Sequence, residues 1–232
     1  MIYRQQRNNY RPKRRVSSVP DIALPDVGKD LDWKKIKKIL CLDQSLSDSG
    51  AALFIDGEYV PVQHSSGLHI GWALTLPSSW PRQKKSVAYG AWLRELIAQS
   101  TPEIIIGESH PFARGKAETS TATLESLVGI RWISMFISGQ NKIPYVEFST
   151  NHVKYILCGT MSAPKSAVQT ILRATNIELP VYELKPAIIN GNVCDAIAMG
   201  VVISRMQTQE RLLAEYSPIV GAGRSQTKMR NR

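Results

Sequence analysis

Long apolar runs are missing from this chain of 232 residues. None approaches the roughly 18 residues needed to span a bilayer, and the N-terminus has no apolar secretory core. Neither a membrane partner nor secretion is expected. Cysteine is scarce: Cys41, Cys158 and Cys194 are odd in number, scattered, and set among apolar residues. With no C-x-x-C pair, the sequence indicates neither a structural zinc site nor a disulfide framework. A reducing compartment fits that usage. Histidine is nearly as sparse. His64 and His69 lack metal-ligand spacing, and His152 is expected on a helix surface. His110, two residues after Glu108, is either a polar loop residue or a contact to a nearby site.

Acids are absent from both ends. Residues 1–20 hold six basic residues and residues 224–232 hold four, with no acid in either stretch. That leaves 19 of the 29 Lys and Arg facing all 19 acids in residues 21–223. The whole excess of +10 therefore sits in the two arms. Segments this basic and this poor in apolar residues do not bury enough surface to fold alone. They suit a polyanion, nucleic acid foremost, or act only as solubilising tails. An Arg-rich, acid-free N-terminus is also compatible with an organellar transit peptide, but it lacks the apolar helical face of one.

Between the arms the pattern alternates. Residues 38–43 read as a buried strand, and 50–63 as a hairpin turning at Asp56-Gly57. Residues 64–85 read as a long loop. Helices are expected over 86–100 (through Val87, Trp92, Leu96 and Ile97), 118–139, 149–159, 162–175 and 192–212, with strands at 102–109 and 143–148. A Ser/Thr cap is expected at the start of the 149–159 helix, and a Ser162 cap with Pro164 in the first turn of the next. Residues 176–191 read as a connection. A hairpin followed by alternating helices and strands implies an α/β domain on a mixed sheet. The expected organisation is a basic arm and linker over 1–33, a folded domain over 34–212, and a basic tail over 213–232.

Three acids interrupt apolar runs. Asp43 ends "KILCLD", Glu108 follows "EIIIG", and Asp195 sits in "NVCDAIAMG". Singly, each has a structural role available: a turn cap, a solvated strand end, a partner for a helix dipole. Together they would be costly to desolvate, and a hard cation offsets that cost. Carboxylates that hold two such ions about 3.5–4 Å apart suit phosphodiester cleavage.

The stretches "ILCLDQSLSDSGAAL", "EIIIGES", "VEFSTNHVKYILCGTMSAPKSAV" and "NVCDAIAMG", in that order, resemble the RuvC-type Holliday-junction resolvases of the RNase H-like superfamily. The resemblance spans roughly residues 37–207. It implies an RNase H-like fold, with a mixed five-stranded sheet flanked by helices. It implies that Asp43, Glu108 and Asp195 are metal-binding catalytic acids, and that Lys154 and Lys165 lie near the scissile phosphate. Phe112 resembles the aromatic wedge at the junction centre, and Arg114 and Lys116 beside it are expected on DNA with Arg11, Lys13, Arg14 and Arg15 of the arm. At the fourth ligand position, one helical turn before Asp195, the family has an acid or histidine and this chain has Asn192. Asn192 is either a neutral ligand or a helix N-cap.

The activity implied is a metal-dependent endonuclease resolving four-way DNA junctions by paired nicks, with two Mg2+ ions per site (Mn2+ as substitute) and a homodimer to supply two sites. Its products would carry 5′-phosphate and 3′-hydroxyl ends. The long helix at 118–139, with Leu124, Leu127, Val128, Trp132 and Phe136, is the candidate interface element. A broader branched-DNA or flap nuclease and a non-catalytic nucleic-acid-binding protein in a nucleoprotein assembly are the alternatives. The expected setting is the cytoplasm of a bacterial or virus-infected cell, ahead of an organellar matrix.

Overall fold

The computed structural model describes residues 32–61, 72–109, 121–177, 179, 181–182 and 185–222. The chain runs β1 (Lys38–Asp43), β2 (Asp48–Ile55), β3 (Glu58–Val60), β4 (Trp72–Thr75), α1 (Arg82–Ser100), β5 (Ile104–Ser109), α2 (Thr121–Gln140), β6 (Tyr145–Ser149), α3 (Thr150–Cys158), α4 (Lys165–Ala174), β7 (Val181–Tyr182), β8 (Lys185–Ile189) and α5 (Gly191–Ala222).

One mixed sheet carries the fold, in the order β3-β2-β1-β5-β6. β1 is antiparallel to β2 and parallel to β5, which is parallel to β6. β4 is a sixth strand: it pairs with Asp48–Ala51 of β2, while β3 pairs with Leu53–Ile55 of the same strand. The β2–β3 turn is made by Asp56 and Gly57, both at positive φ (51° and 88°), as a two-residue hairpin turn requires.

β1 reads as an unbroken apolar run because both of its faces are covered. Ile39 and Cys41 pack with α5, and Leu40 and Leu42 pack with α1 and α2. Full burial of such a side chain contributes about 1.5–3 kcal/mol, so the central strands anchor the domain. On the first face, α5 lies against β1 and β2 with Val193, Ala196, Ile197, Val201 and Val202. Its approach is so close that a Cβ on Gly50 would run into the backbone of Asn192 and Val193. Among the described residues no helix is long and apolar enough to cross a membrane.

Several local expectations change. The loop expected over 64–85 yields β4 and the first turn of α1, and residues 62–71 lie outside the described set. Four residues are too few to show alternation, so β4 exists only through its pairing with β2. The start of α1 and one residue of its expected apolar face are also corrected: the helix starts at Arg82 and buries Leu96 and Ile97 as expected, with Trp92 partly buried, but Val87 is 68% exposed and Tyr89 and Leu93 pack in its place. The connection expected over 176–191 contains the β7–β8 hairpin, and α5 continues past residue 212. α4 begins at Lys165 with extended Pro164 in the N-cap position, and Ser162 precedes the helix. α3 starts after Ser149, which makes no side-chain capping bond.

Gly50→Ala is expected to destabilise the fold by about 1–3 kcal/mol, because rigid backbone must move to admit the methyl. Gly129→Ala, on an exposed position of α2 with nothing within 4 Å, is expected to stabilise it by up to about 1 kcal/mol. Urea denaturation of the two variants beside the wild type reads both signs.

Candidate active site

Parallel pairing places two acids side by side. Leu42 of β1 is in register with Gly107 of β5, so Asp43 and Glu108 come next to each other at the ends of adjacent strands. Strand alternation puts both on the α5 face, Asp43 with Ile39 and Cys41, Glu108 with Ile104 and Ile106. Their side chains are within hydrogen-bonding reach of each other. Asp43 is buried and Glu108 half-buried.

The third acid comes from α5. Asn190 caps this helix: its Oδ1 accepts the backbone N–H groups of Asn192 and Val193, both at 3.2 Å. Capping by Asn190 fixes the first turn and brings Asp195 over the strand ends. Asp195 Oδ2 stands 2.6 Å from Lys165 Nζ, at the first residue of α4. Lys154, half-buried on α3, also acts on the Asp195 carboxylate by its charge. Thr150, the first residue of α3, donates from Oγ1 to Glu108 Oε1 at 2.5 Å. The N-termini of α3, α4 and α5 therefore meet at this end of the sheet, each adding partial positive charge.

The electrostatics are those of crowded like charges. Burial first pushes the Asp43 carboxyl up, and then its hydrogen bond to Glu108 and the charges of Glu108 and Asp195 push it further. Lys165 opposes them. Burial also raises Asp195 and outweighs the pull of its ion pair with Lys165. The Lys165 ammonium is lowered by burial, but the bond to Asp195 and the charges of Asp195, Asp43 and Glu108 leave it net raised.

The structure thus brings together Asp43, Glu108, Asp195, Lys154 and Lys165. Asn192 lies in the same first turn of α5, and its expected alternative as the N-cap is corrected, since Asn190 holds that role. The Asn192 amide instead donates from Nδ2 to the carbonyl of Asp48 at 2.7 Å, tying α5 to β2. Phe112, Arg114, Lys116, Arg11, Lys13, Arg14 and Arg15 lie outside the described residues, as do His64, His69 and His110. His152 is half-buried, with its ring edge-on to Phe148 at 6.5 Å. Sequence reasoning missed Thr150, which read as part of a Ser/Thr cap. It also missed Gln44, a buried amide next to Asp43.

The donor chemistry suits a hard divalent cation. Two touching carboxylates, of which Glu108 adds to the rise of an Asp43 already raised by burial, need a positive charge or a proton between them. Asp195 is engaged by Lys165, and among the described residues no three His, Cys, Asp or Glu side chains stand as a group that could hold a metal ion. Hard oxygen donors with room for waters or substrate oxygens are what Mg2+ prefers over a complete protein cage.

No family model matches the chain, and no curated protein matches it. Solved structures do. RuvC of T. thermophilus in complex with a Holliday junction substrate superposes over 71% of this chain and 91% of its own, with TM-score 0.52 and 17% identity. A second Thermus thermophilus RuvC structure matches over 75% of this chain and 96% of its own, with TM-score 0.53 and 14% identity. The yeast mitochondrial Holliday junction resolvase Ydc2 is similar over 81% of this chain and 87% of its own, with TM-score 0.47 and 13% identity. The two RuvC likenesses establish the fold: a mixed α/β sheet of the RNase H-like type, flanked by helices.

Asp43 keeps its proton to higher pH in the folded chain than in the unfolded one. Ionising it therefore costs stability: the cost is absent below the unfolded value near 3.8 and grows as pH rises through the folded value. In metal-free buffer at pH 7, Asp43→Asn is expected to melt above the wild type, by about 2–4 °C per kcal/mol of relieved burial cost and repulsion. The advantage should vanish toward pH 4, and thermal melts across that range read it.

Proposed function

We propose that this chain is a metal-dependent, structure-selective DNA endonuclease that resolves four-way junctions by paired nicks. The observation that carries this is the convergence of Asp43, Glu108 and Asp195, with Lys165 and Lys154, at one end of a RuvC-type sheet. The junction-bound RuvC among the similar structures supports the substrate class.

In this reading Asp43, Glu108 and Asp195 would hold two Mg2+ ions, with Mn2+ as substitute, and the Asn192 amide oxygen would add a neutral donor that leaves part of the second ion's shell to the substrate. Ions held there supply charge neutralisation at the phosphate and acidify water for in-line attack. The chain's own groups do the rest. Thr150 fixes the orientation of Glu108 by its hydrogen bond. Lys165, 56% exposed along its side chain, can release Asp195 and meet a phosphate oxygen while the acids are neutralised. Lys154 adds a second positive charge on the same side. The N-termini of α3, α4 and α5 favour an anionic backbone at the sheet end.

DNA contacts extend beyond the acidic cluster, within the folded domain proposed over 34–212 and in both basic arms. Phe112, Arg114 and Lys116 follow β5 directly and are assigned to the junction. Arg11, Lys13, Arg14 and Arg15 belong to the basic arm of 1–33, and the basic residues of the second arm lie in 224–232, after the end of α5. Both add sequence-independent phosphate affinity.

A junction has two strands to cut symmetrically, so two sites are needed and a homodimer supplies them. The surface for it lies on α1 and α2. Val87, Trp132 and Phe136 are 68%, 64% and 62% exposed and line one groove with Gly90, Ile133 and Arg94. Three large apolar side chains so exposed in one patch mark an interaction surface, and a second copy of the chain is the proposed occupant.

With labelled four-way junction, flap and duplex DNA, Mg2+ is expected to give paired nicks on the junction. EDTA and Asp43→Asn should each abolish them, with at least about a 100-fold loss of rate for the variant and with junction binding retained. Flap cleavage alone would assign the chain to a broader branched-DNA nuclease, and uncut DNA at every Mg2+ concentration would leave a non-catalytic binder. Trp132→Glu with Phe136→Glu is expected to turn a dimer into a monomer by light scattering on a sizing column, leaving the fold intact.

A further inference from the structure

Gln44 is an amide in the core, only 4% exposed. It follows Asp43 directly, on the opposite face. Alternation sends Asp43 toward α5, and Gln44 toward α1 and α2 with Leu40 and Leu42. β5 repeats the arrangement, with Glu108 on the α5 face and Gly107 on the other. A Cβ on Gly107 would strike the Tyr145 phenol and come within 2.8 Å of Gln44 Oε1. Gln44 therefore fills the space behind both acid-bearing strand ends.

Both of its amide hydrogens are donated and its amide oxygen accepts one bond. Gln44 Nε2 donates to Tyr89 Oη at 3.1 Å and to Ser134 Oγ at 2.5 Å, and Tyr145 Oη donates to Gln44 Oε1 at 2.9 Å. Ser134 gives its only proton to the carbonyl of Ile130 at 3.0 Å, so Tyr89 is the donor in its 2.8 Å contact with Ser134 Oγ. The network joins the end of β1 to α1, α2 and β6 and packs over β5. Burial pushes the Tyr89 phenol up to about 12, with Asp43 adding to the rise, so the network and the acid sense each other. A fully bonded buried network rigidifies its surroundings, and an unbonded amide there would be costly.

We propose that Gln44 is a positioning residue, which locks the ends of β1 and β5 so that Asp43 and Glu108 meet at the separation that holds a divalent cation between them. Gln44 touches neither cation nor substrate. The role deepens the nuclease assignment, on which it rests for the cation.

The test is Mn2+ binding, by electron paramagnetic resonance, to the full chain and to Gln44→Met, Tyr145→Phe, the double variant and Asp43→Asn. Melting temperature, junction binding in EDTA and junction cleavage are read in parallel. Gln44→Met keeps the volume and loses every bond. It is expected to weaken the Asp43-dependent Mn2+ site on the order of 10-fold, as loss of a ligand-orienting group does, with junction binding unchanged. Tyr145→Phe should weaken it by less, and the double variant by no more than Gln44→Met, because Tyr145 acts through Gln44. If Gln44→Met does not fold, Tyr145→Phe carries the test at smaller amplitude. Unchanged Mn2+ affinity in the folded variants, additive losses, or no Asp43-dependent Mn2+ site in the wild type overturns the proposal. A wild type whose Mn2+ site is weakened by Gln44→Met, yet which cuts no branched DNA, overturns the nuclease assignment and leaves the positioning role standing.

Discussion

Crowding of like charge at the ends of β1 and β5 is the constraint that organises this end of the molecule. Two carboxylates about 4 Å apart repel by about 4 kcal/mol even at an effective dielectric constant of about 20. That is a sizeable part of a domain's net stability of about 5–15 kcal/mol. The fold nevertheless sets Asp43 and Glu108 beside each other and brings Asp195 over them. What surrounds them answers the repulsion: Lys165 on Asp195, Lys154 nearby, the Thr150 hydroxyl on Glu108, and three helix N-termini. None of this offsets the cost fully: burial first, and then the neighbouring acids, leave Asp43 and Asp195 both raised. Acids kept together against that cost are the usual mark of a functional site.

The remaining architecture supplies the stiffness such an arrangement demands. β1 is covered on both faces and flanked by β2 and β5, so its end has little freedom. β2 is held along its outer edge by β3 at one half and β4 at the other. The short β4, which contributes little core, completes the support of the turn that follows Asp43. Leu76 N donates to Ser47 O at 2.7 Å just beyond it, and Lys85 Nζ donates to Ser47 Oγ at 2.9 Å.

Some of this could be read from the sequence, and the reasons are physical. β1 and β5 stand out because strands buried on two faces are continuous apolar runs, and their acids stand out because a charge in such a run is expensive. Asp195 is visible on the same ground. Lys154 and Lys165 had no signal of their own, since lysine on a helix is ordinary, and only the motif order singled them out. β4 was invisible because four residues carry no period. In α1 Leu96 and Ile97 are buried as expected and Trp92 packs half-buried beside them, but Val87 mimics the core stripe, and the first half of the helix packs through Tyr89 and Leu93 instead. The caps lie two residues from the expected ones: Asn190 and Asn192 both suit a cap and only the helix geometry chooses between them, whereas α4 starts after Pro164, which makes no side-chain capping bond. Thr150 and Gln44 are neutral, common residues whose partners lie 42 to 101 positions away. Nothing local marks them.

Asn192 is where the chain departs from the motif it resembles, and its hydrogen bond explains what the departure does. The amide gives a proton to the Asp48 carbonyl at 2.7 Å, at the place where Gly50 lets β2 and α5 meet backbone to backbone. An ionised aspartate has no proton to give. In this position it would face the carbonyl oxygen with an acceptor, break the tie between β2 and α5, and add a fourth negative charge to the three acids that Lys165 and Lys154 oppose. The amide therefore trades one charge for one inter-element hydrogen bond. In the proposed nuclease, that trade shifts part of the task of completing the second cation's shell from the protein to the phosphate of the bound DNA.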